Sequence, residues 1–92
     1  MSESRISKKL KITNEKGLHA RAAAAFVRMA DSFNAQITVE KDELSVSGHS
    51  IMGLMMLGAS CDSEINVICS GKDARKALTA LEKLINDKFN EN

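Results

Sequence analysis

Ile6-Ser7-Lys8-Lys9-Leu10-Lys11-Ile12-Thr13 runs into Asn14-Glu15-Lys16-Gly17, and across that boundary the spacing of apolar residues changes period. Before the turn cluster, Ile6, Lys8, Leu10 and Ile12 share one face while Ser7, Lys9, Lys11 and Thr13 share the other, the alternation of a strand with one wet face. After it, Ala23, Phe26, Val27, Ala30 and Phe33 recur at helical spacing, so residues 20–33 are predicted as a helix that begins at or just after His19. The alanine run favours the helix intrinsically, and Phe26, Val27 and Phe33 supply most of the apolar area that docks it.

Downstream the two periods alternate again. Ala35, Ile37 and Val39 alternate with polar residues, Lys41-Asp42-Glu43 turns the chain, and Leu44, Val46 and Gly48 form a second alternating run, which together read as a hairpin. Ser50 stands before Ile51-Met52-Gly53-Leu54-Met55-Met56-Leu57, a run too long and too apolar for a turn, with Gly58 placed to end a short helix. Ile65, Val67 and Cys69 alternate with Asn66, Ile68 and Ser70 as a fourth strand, and Ala74, Ala77, Leu78, Leu81, Leu84, Ile85 and Phe89 form the clearest helical stripe. The order β-α-β-β-α-β-α predicts an α+β fold with a four-stranded antiparallel sheet and helices on one face, in a single domain over residues 1–92.

Thirteen Lys and Arg oppose twelve Asp and Glu, a formal net charge of +1, so the whole chain has no electrostatic drive towards nucleic acid or an anionic membrane. Only three Phe, with no Trp or Tyr, leave few platforms for stacked bases. Residues 1–11 lack the apolar core of a signal peptide or membrane span, and a cytoplasmic protein is expected. Cys61 and Cys69 sit in no metal-ligand spacing, so they are read as free thiols, and no metal or other cofactor is expected.

His19 is the residue placed for chemistry. It lies in Gly17-Leu18-His19-Ala20-Arg21, between a turn glycine and the first turn of a helix. Unpaired backbone amides and the positive end of the helix dipole favour an anion there, so a phosphoryl group on a ring nitrogen would meet the amides of residues 20–22. Arg21 can add charge-assisted hydrogen bonds. No carboxylate in the local motif offers a base, and none is needed if the donor is itself a phosphorylated protein and the imidazole is neutral. Ala20 and Ala24 are expected on the open side of the helix, where small side chains admit another protein. A histidine at a helix start can equally be a local structural residue, and His49, with no partner in view, reads as a plain surface residue.

Ile51, Met52, Leu54, Met55, Met56 and Leu57 are more apolar positions than one short helix can bury, so some must face outward as an adaptable docking patch. Capping explains Ser50 by itself. A phosphate there would also fit the helix start while adding about two negative charges beside the patch.

These residues carry a resemblance. Gly17-Leu18-His19-Ala20-Arg21 is similar to the active-site motif of the HPr phosphocarriers of bacterial phosphotransferase systems, and Ser50-Ile51-Met52-Gly53-Leu54-Met55 resembles their regulatory-serine segment. The similarity spans about residues 5–90, ending in Ser70-Gly71 and the last helical stripe. It implies an open-faced sandwich of four antiparallel strands and three helices. It also implies transfer from phosphorylated enzyme I to Nδ1 of His19, with Arg21 as its partner, and onward to an enzyme IIA domain. Ala20, Ala24, Ile51, Met52 and Met55 would form the docking surface, Ser50 would be a substrate of HPr kinase/phosphorylase, and the carrier would be a monomer and no stand-alone enzyme. The family usually has proline after the motif arginine; here Ala22 stands there, and a looser first turn is expected. Leu54-Met55-Met56-Leu57 and Phe89-Asn90-Glu91-Asn92 look similar to the nitrogen-related NPr branch, whereas Ser50-Ile51-Met52-Gly53 looks like the sugar branch, and a regulatory phosphorelay is preferred.

Two other classes compete. A binding module acting through Ser50 would leave His19 idle, although such relatives typically lack the histidine. A nucleic-acid-binding KH domain would need a basic Gly-x-x-Gly loop, and Gly53 and Gly58 enclose four apolar residues instead.

Overall fold

A computed structural model describes residues 5–91 of the chain. Residues 1–4, part of the stretch read as lacking a signal-peptide core, and Asn92, the last residue of the NPr-like ending, lie outside the described residues. The elements are β1 (Arg5–Lys11), α1 (Ala20–Asp31), β2 (Gln36–Lys41), β3 (Leu44–Ser47), α2 (Ile51–Met56), β4 (Glu64–Ser70) and α3 (Ala74–Asn86). A short turn of helix, Lys88–Asn90, follows. This is the predicted order of strands and helices.

The sheet is antiparallel throughout, with order β1-β4-β2-β3. β4 is therefore central, pairing Val67 with Lys8 on one side and with Val39 on the other. Its inward residues Ile65, Val67 and Cys69 are fully buried, because strands flank them on both sides and helices cover them. The three helices cover one face and meet Phe26, Leu54, Leu81 and Ile85 in a continuous cluster of buried side chains. Lys9 and Lys11 project to solvent as expected, and Lys8, on the helix side, reaches Glu82 of α3 at 2.7 Å.

Two boundaries differ from the sequence reading in a way that matters. The first helix ends at Asp31, so Phe33 is half-buried in the loop that follows and lies off the helical face. α3 stops at Asn86 and does not continue to Phe89. Lys88, Phe89 and Asn90 instead take left-handed backbone angles, φ 59°, 55° and 62°. Such angles cost non-glycine residues about 1–2 kcal/mol each. Burial of Phe89 at 6% exposure opposes that cost, and the reversal carries Glu91 back towards the start of α1.

Candidate functional site

The site is assembled where three segments meet: the turn before α1, the loop after α2 and the turn after α3. Asn14 accepts from the Gly17 amide through its backbone carbonyl at 3.1 Å, closing the turn, and its side-chain Nδ2 donates to the Gly17 carbonyl at 2.7 Å. Gly17 sits at φ +68° with its α-carbon pressed against the Ala59–Ser60 backbone; a β-carbon there would stand 2.5 Å from the Ala59 carbonyl oxygen. Leu18 then inserts into the core and His19 is delivered to the rim.

His19 is the N-cap of α1, in extended conformation, and its carbonyl accepts from the Ala23 amide at 2.8 Å. Its side chain makes no capping hydrogen bond, and the first turn holds no acidic residue. The amides of Ala20, Arg21 and Ala22 therefore lack intrahelical acceptors, and the positive end of the dipole is left uncompensated by its own helix. Ala22 is wholly buried and keeps the N–H that a proline would lack.

The imidazole is 28% exposed, and its Nε2 lies 2.6 Å from Oε2 of Glu91. Glu91 is in turn held through Oε1 by Asn14 Nδ2 at 3.0 Å. Partial burial pushes the Glu91 carboxyl up, but the hydrogen bonds from Asn14 and His19, and the charges of His19 and Lys16, outweigh it and hold the group below its ordinary value. An ionised carboxylate only accepts, so the Nε2–H of His19 donates. Nδ1 has no hydrogen-bond partner among the described residues. Glu15, Lys16, His19, Ala20, Arg21, Phe89, Asn90 and Glu91 line one open depression, with two cationic side chains and the helix start around the imidazole.

The local motif supplies no carboxylate, as read from the sequence, but the fold brings one from 72 positions away. No spacing rule connects Glu91 to His19, and Asn14, read only as a turn residue, is 1% exposed. Only the polar character of the turn hinted at its role.

Arg21 is exposed within the depression and makes no side-chain ion pair among the described residues. Ala20 is exposed and Ala24 half-exposed beside it. Leu54 of α2 and Leu57, its C-cap, turn inward, leaving Ile51, Met52, Met55 and Met56 at 42%, 72%, 46% and 65% exposure. Ser50 caps α2, its Oγ accepting from the Gly53 amide at 2.9 Å. His49 is exposed but not partnerless: Nδ1 lies 2.7 Å from Asp31 Oδ1 and Nε2 3.2 Å from the Ala35 carbonyl oxygen, linking the end of α1 to the approach of β2. Among the described residues no cluster of metal-ligating side chains occurs, and no helix is long and apolar enough to cross a membrane.

Comparison with known proteins fits this arrangement. Residues 6–87 match the family described as the PTS HPr component phosphorylation site. The chain is 38% identical over 86 residues to phosphocarrier protein HPr of Treponema pallidum, covering 94% of this chain and 98% of that protein. It is 37% identical over 87 residues to phosphocarrier protein NPr of Shewanella violacea, covering 95% and 96%. Among solved structures, HPr-C-His from Thermoanaerobacter tengcongensis superposes with a TM-score of 0.85 at 44% identity, covering 100% of this chain and 99% of the other. A match of this extent in sequence, with the same sheet and helices in space, means that the chain belongs to the HPr family of phosphocarriers.

Proposed function

We propose that this protein accepts a phosphoryl group from phosphorylated enzyme I on His19 and passes it to an enzyme IIA domain, in a nitrogen-type regulatory relay in the cytoplasm. The observation that carries this reading is His19 at the unblocked start of α1, facing an open depression that also contains Arg21. The chemistry needs little else. Phosphoryl transfer depends mainly on positioning and charge. The amides of residues 20–22 and the Arg21 guanidinium can receive the phosphoryl oxygens, and the small side chains of Ala20 and Ala24 let a partner's active site close over the ring.

The docking surface in this proposal is Ala20, Ala24, Ile51, Met52 and Met55. Flexible thioethers on an exposed helix adapt to partners of different shape, which suits a carrier that must visit both a donor and an acceptor. The regulatory-relay branch rests on the Leu54-Met55-Met56-Leu57 run and the Phe89-Asn90-Glu91-Asn92 ending. A second reading, a carrier for sugar uptake subject to HPr kinase/phosphorylase at Ser50, is favoured by the Ser50-Ile51-Met52-Gly53 segment and by the exposed helix it caps.

The test is incubation with enzyme I, phosphoenolpyruvate and magnesium, followed by intact-mass measurement of wild type and His19→Ala. One acid-labile phosphoryl group on the wild type, absent in the variant, is expected. A folded wild type that gains none, beside a control carrier that does, would demote His19 to a structural residue. Presenting the phosphorylated protein to nitrogen-type and sugar-type enzyme IIA domains separates the two branches.

A further inference from the structure

Resting on the phosphocarrier reading, we infer that Glu91, clamped by Asn14, is a positioning residue that keeps the His19 proton on Nε2 and so leaves Nδ1, the nitrogen that the family resemblance implies, with its lone pair ready for transfer. The geometry is directional. Glu91 Oε2 is 2.6 Å from Nε2, while Oε1 is occupied by Asn14 Nδ2 at 3.0 Å, so the carboxylate plane is fixed from both ends. Asn14 can hold it because its own amide is anchored: the same Nδ2 donates to the Gly17 carbonyl at 2.7 Å, and the side chain is 1% exposed. The turn that presents His19 and the clamp that orients it are therefore one unit.

The chemical consequence follows from where the proton sits. With Nε2 protonated, Nδ1 carries the in-plane lone pair, and Nδ1 has no hydrogen-bond partner among the described residues to compete for it. On transfer, this lone pair attacks phosphorus and an Nδ1–P bond forms. The bond between phosphorus and the donor protein breaks, and its electron pair stays with the donor. The His19 ring becomes a phosphorylated imidazolium without losing its Nε2 proton, and the Glu91 carboxylate lies against the positive charge that results. Onward transfer breaks the Nδ1–P bond and returns a neutral imidazole, a far better leaving group than imidazolate. No proton has to move in either direction. Glu91 thus serves acceptance and release alike, whereas Arg21 and the amides act only on the phosphoryl group.

Glu91→Gln is the test, since the amide of glutamine can either donate to or accept from Nε2 and no longer dictates the proton's place. Nitrogen-15 NMR of the His19 ring is expected to show the neutral tautomer with Nε2–H in the wild type and a mixed population in the variant. The rate of phosphorylation by phosphorylated enzyme I is expected to fall about tenfold. Glu91→Asp, which retains a carboxylate, should recover part of both signals. A wild-type ring protonated on Nδ1, or a Glu91→Gln variant with unchanged tautomer and rate, would overturn the inference while leaving His19 as the carrier. A wild type that takes no phosphoryl group while its NMR shows the Nε2–H ring defeats the phosphocarrier reading instead and leaves the Glu91 contact standing.

Discussion

The amide of Leu18 donates to the carbonyl oxygen of Ala59 at 2.8 Å, tying the turn that carries His19 to the loop that leaves α2. The two halves of the proposed interaction surface, the histidine rim and the methionine helix, are thereby joined through backbone and not through mobile side chains. A carrier that meets its partners over both halves at once benefits from this rigidity, because less freedom is lost on each encounter.

Gly17 makes that contact possible, and Gly17→Ala is expected to break it. The new β-carbon would meet the Ala59 carbonyl oxygen at 2.5 Å and Ser60 Cα at 2.8 Å, both backbone atoms, at a residue already in the left-handed region at φ +68°. A loss of more than about 2 kcal/mol in urea unfolding is expected, with a larger fall in phosphorylation rate than any reduction in folded population explains. A loss below about 0.5 kcal/mol would show that the two loops give way easily.

Ser50 has a structural role that can be separated from a regulatory one. Its Oγ accepts from the Gly53 amide at 2.9 Å, so Ser50→Ala should cost about 1 kcal/mol of stability and leave transfer intact. Ser50→Asp keeps a capping oxygen and adds a negative charge beside Ile51 and Met52. It should retain near-wild-type stability and slow phosphorylation by enzyme I. Equal transfer rates for Ser50→Asp and wild type at every protein concentration would remove Ser50 from the regulatory account.

The strands and helices were legible in the sequence because each buries one face, and β1 and α3 announce themselves by period alone. Strand order was not legible. The alternation of β4 put Ile68 on the outer face, yet it is only 8% exposed, because β4 is central and Ser7 and Thr38 flank it from both neighbouring strands. Nor does apolar spacing encode the sign of φ: Phe89, four residues after Ile85, extends the stripe of α3 perfectly while its backbone turns the other way. His19 and Arg21 were visible as neighbours, but Glu91 reaches the imidazole, and the Asn14 side chain reaches Glu91, only because of that turn, a reversal that the residue pattern conceals.

Met52, at 72% exposure, is the most exposed apolar side chain of the proposed docking helix, and it makes little contribution to the core. Met52→Asp is expected to change unfolding free energy by no more than about 0.5 kcal/mol. Loss of a central apolar contact at an interface costs on the order of 1–2 kcal/mol, so the KM for transfer from enzyme I should rise about tenfold or more. The acid-labile phosphohistidine itself should form normally at saturating enzyme I. An unchanged KM would move the docking surface away from α2.

The two cysteines should behave as opposites. Cys61 is exposed, with only a 3.9 Å contact from its sulfur to the Thr13 carbonyl, and should react with a thiol reagent in the native protein. Cys69 is wholly buried on the central strand, between Ile6 of β1 and Ile37 of β2, and burial pushes its thiol up to about 11 from 9.0. The folded form therefore keeps its proton between pH 9 and 11 while the unfolded chain gives its proton up. Fewer protons on the unfolded state mean that stability falls as pH rises through this window, by up to about 2–3 kcal/mol from this one group. Urea midpoints for wild type and Cys69→Ala, taken from pH 8 to about 11, isolate the effect, since every other titrating group is common to both. The gap between the two should narrow or reverse as pH rises. A constant gap would mean that the Cys69 thiolate is tolerated in the folded core, contrary to its position between two paired strands under the helices.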